Sequence, residues 1–162
     1  MLAAALAACA SFGGTRPRFA TLPEAVVIES TMPVTDALTL LHDSLTAAGL
    51  TIAVYEPREG YIETRWYDVA AHQSVAPPYH RLDGTVRLRL YVDPVAAHSR
   101  VVAECVRRVR WDPSVPEREL ERMVPLGGPG RDLLERTLVA VRATEVRDTT
   151  TTPATTAPAT RH

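Results

Sequence analysis

Hydrophobic and polar residues alternate strictly in TVRLRLYV, residues 85–92, which puts aliphatic side chains on one side and arginines on the other. Such alternation is typical of an antiparallel strand with one buried and one solvated face. Other runs rich in β-branched and aromatic residues, each bounded by turn residues, predict further strands. The predicted strands cover residues 25–30, 50–56, 61–68, 85–92 and 100–111.

Two segments have the spacing of amphipathic helices. Leu38, Leu41 and Leu45 recur at helical intervals before Gly49, and a similar apolar stripe occupies residues 130–145. The element order is therefore β-α-β-β-β-β-α. This order predicts an α+β fold with two layers, in which an antiparallel sheet of four to five strands carries both helices on one face.

A ferredoxin-like split βαβ arrangement is the alternative topology. It requires a helix between residues 69 and 84, where Pro77 and Pro78 interrupt the chain. Proline lacks the backbone N–H and clashes with the preceding helical turn. The two-layer arrangement is therefore favoured, with residues 69–84 as a loop.

Composition divides the chain into segments. Residues 24–147 hold every predicted element and are expected to form a single domain, which suits a chain of 162 residues. Residues 148–162 read DTTTTPATTAPATRH and are too poor in large apolar residues to build a core, so they predict a disordered tail. The net charge of −1 argues against a nucleic-acid binder.

The opening residues resemble a lipoprotein signal. Leu6-Ala7-Ala8-Cys9 fits the bacterial lipobox, in which the cysteine thiol receives a diacylglycerol and the preceding peptide is removed. On this interpretation residues 1–8 are the remnant of a signal peptide, and residues 9–23 hold the lipidated Cys9 and a tether. Only eight uncharged residues precede Cys9, so a start codon upstream is expected. An apolar terminus of an alanine-rich chain is the alternative.

The stretch from Asp36 to Trp66 resembles a known family. A helix ending in Ala-Gly-Leu, an edge strand, a turn with Gly60 and then Ile-Glu-Thr-Arg-Trp is similar to the helix-grip domains of the BamC family of outer-membrane lipoproteins. The resemblance implies a non-enzymatic envelope lipoprotein that binds protein partners and is anchored in the outer membrane facing the periplasm. It implies an accessory role in outer-membrane protein assembly, but it identifies no binding residue.

The outward side of the predicted sheet is the candidate partner-binding face. Tyrosine and arginine are enriched where proteins bind one another, because both combine a large contact area with polar ends. The alternative is a solvated face with cross-strand Glu–Arg pairs, since Glu63 and Glu104 share it. The candidate residues are Tyr61, Arg65, Tyr67, Arg87, Arg89, Tyr91, Arg108 and Arg110.

The sequence carries no motif of catalysis or metal binding. Its five histidines, His42, His72, His80, His98 and His162, lack metal-ligand spacing, and Cys105 lies on a strand expected to be buried. We therefore predict no enzyme activity, no metal and no cofactor. A helix-grip domain that holds a lipid or another small apolar ligand is the alternative function. Bulky residues such as Trp66, Leu88 and Leu134 favour a filled core instead.

Overall fold

The two predicted helices and all predicted strands are present in the computed structural model, which describes residues 16–18, 20–76 and 82–145. The helices are α1 (Val34–Ala47) and α2 (Arg131–Arg142). The strands are β1 (Val26–Ser30), β2 (Ile52–Glu56), β3 (Tyr61–Thr64), β4 (Trp66–Asp68), β5 (Gln73–Val75), β6 (Thr85–Val95), β7 (His98–Arg108) and β8 (Glu121–Met123). A 3-10 turn over Glu117–Leu120 precedes β8.

One antiparallel sheet contains every strand, which confirms the predicted α+β class with its sheet and helix layers. Five strands follow one another in the order β1-β7-β6-β3-β2. Of the short strands, β4 pairs with β6, β5 pairs with β4, and β8 pairs with β7, which brings the total within the described residues to eight. Strand β5 occupies part of the segment where the ferredoxin-like alternative required a helix.

Both helices pack on the same side of the sheet, which we call the inner face. The predicted stripe of α1, formed by Leu38, Leu41 and Leu45, is fully buried against it. Leu88 and Leu90 of β6 point into the same core, as the alternation in this strand predicted. Their packing against the leucines of α2 fills the space between the sheet and the helices. The inner face therefore forms a solid hydrophobic core.

A break at Arg65 reverses the side-chain alternation predicted for residues 61–68. The segment is two strands, β3 and β4, and Arg65 lies exposed between them. Trp66 consequently packs with Val106 and Met123 on the side away from the helices, while Tyr67 joins the inner core. Trp66 is buried, as predicted, but on the side of the sheet away from the helices. The prediction that Tyr67 belongs to the outward side is wrong, because one extra residue exchanges the two faces.

The sheet side away from the helices, which we call the outer face, is covered by two segments of the same chain. The N-terminal cover comprises residues 16–18 and 20–25, and the C-terminal cover comprises residues 112–124. Leu22 of the first packs beside Trp66, and Met123 of the second does the same. Part of the segment expected to be a free tether thus lies against the domain. The outer face is accordingly not the open, solvated surface that the sequence predicted.

Candidate functional site

Charged side chains converge on the outer face from β3, β6, β7 and the C-terminal cover. Four are arginines and four are glutamates, so the group is electrically balanced when all are ionised. We call them the Arg–Glu cluster: Glu63, Arg87, Arg89, Glu104, Arg108, Glu117, Arg118 and Glu121.

Arg89 is the central cation of this cluster. Its side chain lies in the middle strand of the sheet, where only 4% of the residue is exposed. Its Nε donates to Glu63 Oε2 at 2.8 Å, and its Nη2 donates to Glu121 Oε1 at 2.8 Å. A further hydrogen bond from Nη1 makes the contact with Glu121 bidentate. Glu63 belongs to β3 and Glu121 to β8, and these two strands do not pair with each other. Arg89 therefore links β3 to the C-terminal cover segment through its side chain.

Glu104 fixes both cover segments to β7. It has no exposed surface, and it accepts hydrogen bonds from Arg118 Nη1 at 2.7 Å and Nη2 at 2.9 Å. Its Oε1 also accepts the backbone N–H of Leu22 at 3.0 Å. Hydrogen bonds to an ionised carboxylate are stronger than neutral ones. The buried carboxylate of Glu104 thus attaches both cover segments to β7.

Trp66 lies at the other side of the cluster and stacks with two arginines. The guanidinium carbons of Arg87 and Arg108 lie 4.4 Å and 5.3 Å from its ring centroid. Its indole N–H donates to Glu117 Oε1 at 3.0 Å, and Arg108 pairs with the same carboxylate. The break at Arg65 therefore places Trp66 against the arginines of the cluster.

The charges of the cluster alter the titration of neighbouring groups. Burial acts to raise the pKa of the Glu63 carboxyl, but the positive charges of Arg87 and Arg89 outweigh it and hold this pKa below its usual value. Burial raises the pKa of the Tyr91 hydroxyl to about 12. Burial and a hydrogen bond to Glu63 raise the pKa of Tyr61 as well. At neutral pH the tyrosines are therefore neutral beside an ionised Glu63.

The structure brings together five of the eight residues predicted for the partner-binding face. These five lie on the outer face but are largely covered: Tyr61, Arg87, Arg89, Tyr91 and Arg108. Of the others, Tyr67 is on the inner face, Arg65 is exposed between β3 and β4, and Arg110 is exposed after the end of β7. The glutamates of the C-terminal cover are the partners that sequence reasoning missed. The sequence signal for this pairing is the group of glutamates around Arg118 in residues 117–121.

An exposed aromatic residue lies at the rim of the covered face. Trp111 follows β7, is 53% exposed, and has the Arg108 guanidinium carbon 4.9 Å from its ring centroid. Beside it is a cavity of about 260 Å³ between the end of β7 and the C-terminal cover. We call this the Trp111 pocket. Its lining includes Arg87, Arg108, Trp111, Pro113, Val115 and Leu120.

The remaining candidate residues form no metal-binding group in the part of the chain that the structure describes. No cluster of histidine, cysteine and carboxylate side chains suitable for a metal occurs there. Burial raises the pKa of the Cys105 thiol to about 12, which leaves it protonated and unreactive. His72 lines a cleft of about 250 Å³ with Tyr67 and Arg136. His80 and the predicted lipidation residue Cys9 lie outside the described residues.

Neither a scan against models of protein families nor a search of curated proteins finds a match to this chain. The resemblance to BamC-like domains stays a prediction from the sequence. Among the described residues, no helix is both long and apolar enough to cross a membrane.

Replacing Glu104 by alanine is expected to destabilise the protein far more than replacing an exposed glutamate of the same sheet. Glu104→Ala removes the buried carboxylate that accepts hydrogen bonds from the Arg118 guanidinium and the Leu22 N–H, which should cost about 3 kcal/mol. Glu29→Ala is the control, because Glu29 pairs with Arg100 at 2.6 Å on an exposed edge and should cost less than about 1 kcal/mol. Urea unfolding measures both free energies. Equal losses would contradict the structural role of the cluster.

Replacing Glu63 by glutamine is expected to reduce stability at neutral pH and to flatten its dependence on acid. In the wild type the depressed pKa of Glu63 stabilises the fold above the unfolded value of 4.5, and this stabilisation is lost as pH falls through the folded pKa. Unfolding free energies of wild type and Glu63→Gln should therefore converge below pH 4.5. A difference between the two that stays constant with pH would show that the charge of Glu63 contributes nothing.

Proposed function

We propose that this chain is a non-enzymatic lipoprotein of the bacterial envelope, anchored in the outer membrane through Cys9, whose domain binds a partner protein at the Trp111 pocket. The lipobox supports the anchor, and the resemblance to BamC-like domains supports the envelope role. A contribution to outer-membrane protein assembly follows from that resemblance alone. The Trp111 pocket is the observation that carries the binding function.

Because the outer face is covered, a partner protein is expected to bind at its exposed rim. Tyr61 and Arg89 are buried by contacts within the chain, so a partner could reach them only by displacing a cover segment. Trp111 is exposed beside Val109, which is 42% exposed, and Arg110, whose side chain is 63% exposed. Tryptophan and arginine are the residue types most enriched among those that dominate binding energy. Trp111 lines the pocket, and Val109 and Arg110 are its exposed neighbours in the chain.

The size of the pocket suits one side chain of a partner protein. Small-molecule sites typically enclose about 300–1,000 Å³, whereas the Trp111 pocket has about 260 Å³. Its wall combines apolar residues, including Val115 and Leu120, with the ion-paired side chains of Arg87, Arg108 and Glu117 and with Asp112. We expect a partner segment that inserts an apolar or aromatic side chain next to a carboxylate, which would pair with Arg110.

The alternative of a lipid-binding helix-grip domain has less support. Leu90, Leu134 and Leu138 are fully buried and occupy the space between sheet and helices where such a ligand would lie. The cleft beside Tyr67 and His72 is only about 250 Å³ and opens at the surface. A cavity of that volume is too small for an acyl chain with its headgroup.

Photo-crosslinking in living cells tests the proposed binding site. A photoreactive amino acid placed at Val109 should give a discrete adduct with one partner in the membrane fraction. The same amino acid at Val139, which is 63% exposed on α2, serves as the matched control and should give none. Trp111→Ala should lower the yield at Val109 by about tenfold or more, as expected for a residue that contributes at least about 2 kcal/mol.

The substitution at Trp111 must leave the fold intact for this result to be read. Circular dichroism and the urea midpoint of Trp111→Ala should match the wild type. Equal adducts at Val109 and Val139, or a yield at Val109 that Trp111→Ala does not change, would contradict the proposed site.

A further inference from the structure

Arg16, in the N-terminal cover, is clamped to the domain by four contacts. Its backbone N–H donates to Glu59 Oε2 at 2.8 Å, and its Nη1 donates to the backbone oxygen of Glu59 at 2.8 Å. The same Nη1 lies 2.7 Å from Asp93 Oδ1. The guanidinium carbon is 5.2 Å from the ring centroid of Tyr91. Main chain and side chain are thus both held, which fixes the direction of the segment as well as its position.

The clamp lies at one end of the sheet. Glu59 belongs to the turn between β2 and β3, and Asp93 lies next to the hairpin turn between β6 and β7. Gly60 joins the two turns: Val92 donates its N–H to the Gly60 oxygen at 2.8 Å. A Cβ at Gly60 would lie 2.1 Å from the Val92 oxygen, and φ is +64° there, so only glycine permits this approach. The clamp is therefore attached to a rigid corner of the sheet.

We propose that Arg16 sets the orientation of the domain on the membrane, with the β6–β7 hairpin turn facing the lipid surface and the Trp111 pocket facing away from it. This inference rests on the proposed lipidation of Cys9. Arg16 follows Cys9 by seven positions in the sequence, and an extended chain spans at most about 3.6 Å per residue. The clamped corner of the sheet therefore stays within about 25 Å of the lipidated sulfur.

The opposite end of the sheet is farther from the attachment point than the clamped corner is. Strand β7 runs from the hairpin turn towards Trp111 over 11 residues, which is about 33 Å at the usual rise of about 3.3 Å per residue. Without the clamp, the next attachment along the chain is the Ala20 oxygen, which accepts a hydrogen bond from Arg118 Nη2 at 3.5 Å, and the chain from Cys9 to Ala20 could extend about 40 Å. The domain could then turn in any direction. With the clamp, the Trp111 pocket is presented to a partner that approaches from the aqueous side.

Energy transfer to a membrane acceptor tests the orientation. The full chain is expressed from its native locus, purified with its lipid, and reconstituted into phosphatidylethanolamine–phosphatidylglycerol vesicles that carry a headgroup acceptor. A donor dye is attached to a cysteine at Ala97, in the hairpin turn, or at Asp83, which precedes β6 at its other end. Both positions are exposed. Cys105 is buried and stays unlabelled, and the Cys9 thiol is blocked by its lipid.

The expected result is transfer several-fold stronger from Ala97→Cys than from Asp83→Cys. Arg16→Ala should remove most of this difference, while Arg18→Ala, which alters a neighbouring exposed arginine, should preserve it. Equal transfer from the two positions in an acylated chain would overturn the orientation alone. Intact mass provides the separate check: a chain without diacylglycerol on Cys9 would overturn both the proposed function and the orientation.

Discussion

The Arg–Glu cluster is the constraint on which the rest of this structure depends. Charges taken out of water are unfavourable unless each is paired and hydrogen-bonded. Glu104 is paired by Arg118 of the C-terminal cover, and Arg89 is paired by Glu63 of β3 together with Glu121 of the same cover. The sheet therefore cannot leave its outer face open: the strands carry the buried charges, and the cover segments carry their partners. The outer face, which the sequence predicted to be solvated, is therefore covered and ion-paired.

This closure changes where function can be located. Tyrosine and arginine on a sheet usually indicate a contact surface, yet Tyr61 and Arg89 are engaged within the molecule. What remains accessible is the rim, where Trp111 leaves the sheet beside a pocket of side-chain size. The two ends of the sheet then differ in character. One end is joined to Arg16 and the segment leading to Cys9, and the other presents the Trp111 pocket.

The sequence predicted the inner half of this structure well and the outer half poorly, for a physical reason. Burial of Leu38, Leu88 and Leu90 follows from periodicity, because an apolar stripe has one favourable environment. The alternation of residues 61–68 did not reveal the break at Arg65, because an unpaired residue inside a strand leaves no mark in the sequence. That one residue nevertheless moves Trp66 to the outer face and Tyr67 to the inner face. Pairing of Glu104 with Arg118 depends on the path of the C-terminal cover, which no local pattern specifies. The Trp111 pocket was missed with it.

Hydrogen exchange of the Leu22 amide, followed by NMR on the folded wild-type chain, tests the closure of the outer face most directly. Leu22 lies outside every helix and strand, and its N–H is bonded to the buried carboxylate of Glu104 at 3.0 Å. A covered outer face predicts that this amide exchanges far more slowly than those of the exposed residues around it, with protection approaching that of β7. Exchange at the rate of an unstructured chain would contradict the account, because the outer face would then be open to solvent and to partners.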